Sequence, residues 1–452
     1  MAVDPQAYRP ERPLTALGEP FYDVVDAARF PETRLRFRND RAAAQVGLDK
    51  LDDAEWIAHF GRFAPLPDTL EQPLALRYHG HQFRVYNPDI GDGRGFTFAQ
   101  LRDGRGRLLD LGTKGSGQTP WSRFGDGRLT LKGGVREVLA TEMLEALNVP
   151  TSRSFSLIET GEALERNDEP SPTRGAVLVR LSHSHVRIGT FQRLAYNRDE
   201  DALRRLTGYV LRELYGEEGE DPVRLLELVV ERTAVLAARY MAAGFVHGVL
   251  NSDNINVTGE SFDYGPWRFA PVWDPAFVAA YFDHAGLYAF GRQPEAILWD
   301  VMQLAGALRQ IAESEPLIAA LDRFAEHYQP AIAAAVLWRL GRRPRAAEED
   351  RAVVQSVERA LRGTGVAVDR FFFDAFAQDL PAHYGTEWDE VRTRLAPYGA
   401  RRARDHAYWQ GEPCAMLIEE VEAIWAPVAA ADDWTRFHAK IDAIRTMGDA
   451  LA

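Results

Sequence analysis

HGVLNSDNINVTGESFDYGP, residues 247–266, is the stretch on which the reading of this chain turns. It is dense in Asn, Asp and Gly and has no helical periodicity. Before it runs PVRLLELVVERTAVLAARYMAAG (222–244), whose apolar residues recur at three and four positions and predict a long helix. After the loop-rich region 247–290, AILWDVMQLAGALRQI (296–311) predicts another. HGVLNSDN or FDYG alone reads as a polar turn. Together, at hairpin separation behind a long helix, they put Asn254 and Asp263 on opposite sides of a hairpin. Those are two oxygen donors of the kind that hard divalent cations take, which predicts Mg or Mn rather than zinc.

The same spacing occurs in protein kinases, where a loop of the form H-R-D-x-x-x-x-N is followed by D-F-G and its Asn and D-F-G Asp hold the metal ions on the nucleotide phosphates. His247 and Asn254 keep that interval, and Asp263-Tyr264-Gly265 stands where D-F-G would. Two positions after His247, where a kinase has its catalytic Asp, this chain has Val249. That argues against ordinary phosphotransfer. Asp253 is the only carboxylate within residues 247–254 and is the candidate to replace the missing base. His247 reads as a structural tie for the loop backbone.

Working towards the N-terminus, residues 76–132 are rich in glycine and in short β-type runs (FRVY, FTFAQL, LLDLGTKGSG), which predicts a twisted sheet with tight turns. VREVLATEMLEAL (135–147) predicts a helix, and AVLVRL (176–181) a buried strand. The expected fold is therefore α+β, two-lobed and protein-kinase-like. Residues 1–75 form an irregular extension wrapped on the core, 76–198 a β-rich small lobe, and 199–452 an α-rich large lobe with further C-terminal helices. A kinase-like small lobe needs a strand lysine on the phosphates and a helix glutamate to hold it. Lys114 and Glu137 come in that order, although Arg136 is an equal candidate to pair with some other acid. Arg180 and Arg187, in VLVRLSHSHVRIGTF, are either internal ion pairs or anion ligands, since a guanidinium fork suits a carboxylate and a phosphate alike. Gly91 to Arg94 and Gly125 to Arg128 repeat the tetrapeptide G-D-G-R, whose backbone amides can form an anion nest. Neither the Walker loop nor the Rossmann glycine fingerprint is present.

Of 452 residues 46% are hydrophobic, enough for a substantial core, and 53 Lys and Arg against 66 Asp and Glu leave a formal charge of -13. Such a field repels nucleic acid and anionic membrane, so neither is expected as a partner and any phosphate site must be a local basic concavity. MAVDPQAYRPERPL lacks the apolar core of a signal peptide, and apolar runs such as 331–340 fall short of a bilayer span. Cytoplasmic location is the expectation. The sole cysteine, Cys414, fits a reducing compartment.

Five blocks carry a resemblance to a known family: YHGHQFRVYNPDIGDGRG, KGSGQTPWSRFGDGRLTLKGGVREVLATEML, VRLSHSHVRIGTF, GFVHGVLNSDNINVTGESFDYGP and FGRQPEAILWDVMQLA. In this order, over residues 76–308, they are similar to the signature blocks of the selenoprotein O family. The resemblance implies a kinase-like fold that binds ATP in a flipped orientation and transfers AMP to Ser, Thr or Tyr hydroxyls of protein substrates, with UMP transfer from UTP also attributed to members. The chain's own hydroxyls are a further expected acceptor. It implies that Lys114 and Glu137 hold phosphates, and that Gly91, Gly93, Arg94, Asp126, Gly127, Arg180 and Arg187 line the nucleotide site. Asp253 would be the proton acceptor, and Asn254 and Asp263 the metal ligands. The chain departs from the family beyond about residue 390: it lacks the N-P-x-x-x-x-R-N type block and has no cysteine after Cys414. Three function classes remain open at this point: nucleotidyltransferase, phosphotransferase, and silent nucleotide-binding scaffold. Val249 argues against the second, and the joint retention of Lys114, Glu137, Asn254 and Asp263 against the third.

Overall fold

The computed structural model describes residues 2–167 and 169–452. It is a mixed α+β structure with a large antiparallel sheet in its N-terminal part and helices through its C-terminal half. The main path of the sheet has seven strands: β1 (Tyr22–Val24), β2 (Arg34–Arg38), β3 (Leu74–Leu76), β4 (Thr97–Arg102), β5 (Leu108–Lys114), β6 (Arg153–Leu164) and β7 (Thr173–Ser182). Their spatial order is β1-β3-β4-β5-β7-β6-β2. Two two-residue strands, Pro10–Glu11 and Leu129–Thr130, add to β4 and β7.

The apolar run in β7 is continuous because both faces of the sheet are covered. Val177, Val179 and Leu181 join a cluster with Trp56, Phe60 and Phe155, while Ala176 and Leu178 face the helix α1 (Leu131–Ala146). Successive side chains of a strand point to opposite faces, so a strand buried on both sides shows no polar alternation. The first cover is built by the segment before β3. Its helix Asp53–Phe60 is fixed by a capping box between Asp52 and Glu55, and Trp56 stacks on Phe155 at 4.9 Å. Residues 2–75 thus supply three short strands and two α-helices, Asp40–Ala44 and Asp53–Phe60, more regular structure than their mixed composition suggests.

Helix α1 starts four residues earlier than periodicity indicates. Thr130 caps it by accepting from Gly133 N–H at 3.1 Å, and Gly134 lets it approach the sheet, since a Cβ there would lie 2.4 Å from Leu157. Glycines that serve packing hid the first turn.

The C-terminal half is organised by α3 (Pro222–Ala243), entered through the Asp221 cap with Pro222 in its first turn and left through Gly244 at φ 69. It packs against α4 (Gln293–Leu308) and α5 (Phe324–Arg339), while α2 (Ile188–Tyr196) joins the sheet to α4. Between α3 and α4, the paired strands Phe245–Val246 and Arg268–Phe269 close residues 247–267 into a single loop directed at the sheet. Among the described residues no helix is long and apolar enough to cross a membrane.

Candidate active site

A cleft of about 790 Å³ lies between the sheet and this loop. Its sheet wall begins with Lys114, the last residue of β5. Leu178 of β7 is the register partner of Lys114, so Arg180, two residues on, shares its face. That face is the one covered by α1, which carries Glu137. Lys114 Nζ donates to Glu137 Oε1, and both side chains are buried. The ammonium also lies 3.7 Å from Asp263 Oδ1. Arg187 stands just before α2, with its guanidinium over the rings of Tyr78 at 4.1 Å and Phe262 at 4.7 Å.

The loop wall answers with carboxylates. Asp263 accepts from Arg180 Nη1 at 2.5 Å and from Arg187 Nη1 at 3.2 Å. Burial alone would raise the Asp263 pKa, but Arg180, Lys114 and Arg187 together hold its carboxyl well below the usual range. Asp263 takes a left-handed backbone, φ 60, and that turn presents its carboxylate to all three cations. Arg187 Nη1 also donates to the carbonyl of Asp253 at 2.8 Å, and Nη2 reaches Asp92 at 3.4 Å.

Asp253 differs from Asp263 in having no direct cation partner for its carboxyl group. It is 7% exposed, Oδ1 has no hydrogen-bond partner among the described residues, and burial, opposed by the more distant charge of Arg187, raises its pKa to about 6. Asn254 donates through Nδ2 to the Val249 carbonyl at 3.0 Å, which leaves Oδ1 uncommitted. Val249 lines the cleft beside them. His247 ties the two turns together. Nδ1 accepts from Val249 N–H at 3.4 Å, which makes Nε2 the donor to Phe262 O at 3.0 Å, a neutral tautomer consistent with a pKa lowered by burial.

The glycine-rich stretches form the rim. Gly91 and Gly93 pass directly under Trp121, where a Cβ would meet the indole at 2.5 Å or the backbone oxygen at 2.8 Å. Arg94 is exposed and borders the cleft. Gly127, at φ +70, follows Asp126, which accepts two hydrogen bonds from Arg166 at 2.8 and 3.2 Å and so joins the two sides of the rim.

Of the residues singled out in the sequence, Gly91, Gly93, Arg94, Lys114, Asp126, Gly127, Arg180, Arg187, Asp253, Asn254 and Asp263 border one cleft, Glu137 stands behind Lys114, and His247 lies outside the lining. Arg136 turns the other way, to the carbonyls of Gly265 and Trp267. Sequence reasoning passed over Asp92 and Tyr78, which hold Arg187, and Arg166, which latches Asp126. Asp92 was within sight, as the acid of the first G-D-G-R. Among the described residues no group of three or more His, Cys, Asp or Glu forms a metal cage.

The family described as "Protein adenylyltransferase SelO" matches residues 6–409. The chain is similar to proteins named "Protein nucleotidyltransferase YdiU" from several bacteria. It is 41% identical to that of Synechococcus elongatus across 98% of this chain and 96% of the relative. It is 43% identical to that of Gloeobacter violaceus across 96% and 94%. With that of Vibrio cholerae the identity is 38% across 70% and 64%.

Proposed function

The chain belongs to the SelO/YdiU family of protein nucleotidyltransferases, and from that premise we propose that it moves AMP from ATP to Ser, Thr or Tyr hydroxyls of protein acceptors, its own chain included, on a kinase-like two-lobed frame. One observation carries the reading. Three buried cations converge on the Asp263 carboxylate, on the same loop as a second carboxyl, Asp253, whose pKa burial raises to about 6, and that loop has Val249 at the kinase base position. The first set suits a triphosphate. The second suits a hydroxyl that must lose a proton.

In this mechanism the acceptor oxygen attacks the α-phosphorus, the bond from that phosphorus to the bridging oxygen of pyrophosphate breaks, and the acceptor proton passes to Asp253. Lys114, Arg180 and Arg187 bind the departing phosphates, where charge accumulates; fixed donors at such positions contribute on the order of 3 kcal/mol each. Glu137 orients Lys114. Gly91, Gly93, Arg94, Asp126 and Gly127 enclose the remainder of the nucleotide. Asn254 Oδ1 and the Asp263 carboxylate are hard oxygens on two turns of one loop and fit Mg or Mn. Bound there, the ion would neutralise phosphate charge. A carboxyl with a pKa near 6 is a competent base at neutral pH, because it is largely ionised yet still basic enough to take a proton.

ATP labelled at the α or the γ position, supplied with either metal and a protein acceptor, tests the proposal. The expected result is α label on a hydroxyl and release of pyrophosphate. Protein-bound γ label alone would make the enzyme a phosphotransferase. α-Labelled UTP run in parallel decides between adenylyl and uridylyl transfer. No incorporation from any nucleotide across several acceptors would leave a binding scaffold.

A further inference from the structure

The sheet path leaves out one hairpin, Gly80–Gln82 with Val85–Asn87, which turns at Phe83 and Arg84, both left-handed at φ 50 and 64. A lone two-stranded hairpin is marginal in water, so its docking must hold it. It docks on the loop that carries Asp253. His81 N–H donates to Ser252 Oγ at 2.7 Å, and Phe83 N–H to Asn251 Oδ1 at 3.0 Å.

The first of these bonds belongs to a closed ring. Ser252 Oγ donates to Gln192 Oε1 at 2.6 Å, and Gln192 Nε2 meets His81 Nδ1 at 2.7 Å. Every direction is forced. An amide oxygen only accepts, so the serine hydroxyl donates to it. An amide nitrogen only donates, so His81 Nδ1 accepts. The ring joins three separate elements: the hairpin, α2, and the turn preceding Asp253. Ser252 and Gln192 are buried, and the His81 ring is wedged edge-on between Tyr86 at 5.0 Å and Trp299 at 5.1 Å. Arg84 clamps the hairpin tip to α4 through Glu295 at 3.2 Å. The residue next to His81 is Gly80, where a Cβ would lie 2.7 Å from Asp253 Oδ1 and 2.8 Å from its Cβ. Nothing larger than glycine leaves the Asp253 carboxyl where it stands.

We infer that His81, Gln192 and Ser252 form a positioning network which, with Gly80 as its contact surface, fixes the Asp253 carboxyl for proton removal. The inference rests on the reading of Asp253 as the base. Among the described residues none of these four lines the cleft, and their side-chain hydrogen bonds go to one another, so the network acts on the chemical step and leaves nucleotide binding alone.

The test compares His81→Phe, His81→Asn and Gly80→Ala with the parent chain, reading kcat, ATP affinity by direct binding, and melting temperature. Phenylalanine fills the wedge but cannot accept from Gln192. Asparagine restores an acceptor at the place of Nδ1. His81→Phe and Gly80→Ala should lower kcat by roughly 10- to 100-fold, the scale of an ångström of misplacement, with ATP affinity unchanged. His81→Asn should recover most of the rate. Full kcat in His81→Phe, or His81→Asn no better than His81→Phe, overturns the network, as does loss of ATP binding in step with rate. If His81→Phe does not fold, Gly80→Ala decides alone, since it adds one methyl aimed at Asp253. Label position in the parent is scored first: γ transfer there overturns the functional proposal, whereas the ratio of variant to parent rate judges the network separately.

Discussion

On the sheet side of the cleft, Lys114 and Arg180 stand on adjacent antiparallel strands, and the ladder register alone puts them on one face. On the loop side, Asp253, Asn254 and Asp263 stand on turns, and their positions depend on ties from elsewhere: His247 between the two turns, Arg187 on the Asp253 carbonyl, and the docked hairpin. A strand carries its side chains in fixed alternation, whereas a turn must be held. The cationic wall is thus a property of the sheet, and the acidic wall a property of the assembled molecule. Substitutions on the loop side should have larger effects on rate than Lys114→Met or Arg180→Met on the sheet side, measured as kcat.

The largest effect is expected at Asp263, where the two walls meet. Asp263→Ala removes the partner of three buried cations and the proposed metal oxygen, so nucleotide transfer should be abolished and the melting temperature should fall, with circular dichroism still showing a folded chain. Breaking a buried pair from one side typically costs ~3–5 kcal/mol. Near-parental transfer with metal and ATP would show that the cationic wall works without its counterpart.

Asp253→Asn should lower turnover by about 10²- to 10⁴-fold, the usual contribution of a general base, while ATP affinity measured by direct binding stays at the parental value. Loss of binding without a separate loss of turnover would place Asp253 with the metal ligands instead.

Asp300 is an acid behind the loop wall with no cation in contact. It is fully buried on α4, both oxygens lack hydrogen-bond partners among the described residues, and burial, reinforced by Asp253 and opposed by Arg84, raises its pKa well above the carboxylate range. The folded state then binds a proton that the unfolded state releases near pH ~4. Stability contributed at low pH is lost as pH rises above that value. Asp300→Asn escapes this loss, so its melting temperature relative to the parent should increase between pH 4 and pH 8. A constant difference across that range would show Asp300 to be paired after all.

The smallest effect belongs to the rim. Arg166 and Asp126 form a half-exposed pair, for which ~1 kcal/mol is an upper expectation, so Arg166→Ala should raise the KM for ATP by no more than roughly fivefold, with kcat unchanged.

Much of this site was legible because its groups are local in sequence or tied to a regular period. Residues 247–266 announce two turns by their Asn, Asp and Gly content, and AVLVRL lies inside the observed strand Thr173–Ser182. The order of Lys114 and Glu137 was visible too, but their contact was not, since it is set by how α1 crosses the sheet. The N-terminal segment was read as irregular. Its strand Arg34–Arg38 alternates arginine with apolar residues, and Arg36 finds Glu159 only once β6 lies beside it. FRVY (83–86) reads as β-type, but only Val85 and Tyr86 fall in a strand, Phe83 and Arg84 forming the hairpin turn, and the purpose of the hairpin is hidden because the bonds that hold it reach across some 170 residues.

The helix that carries Glu137 has its outer face covered by Thr435–Leu451, where Arg445 grips Glu142 across 303 residues of sequence, Gly448 lies against Ala146, and Phe437 meets Phe37 of β2. During synthesis the sheet and α1 leave the ribosome long before the segment that covers them. A nascent chain stopped short of residue 435 displays a bare apolar flank on α1, the surface a holdase chaperone would grip, and the lever behind Lys114 stays unsupported until that flank is closed.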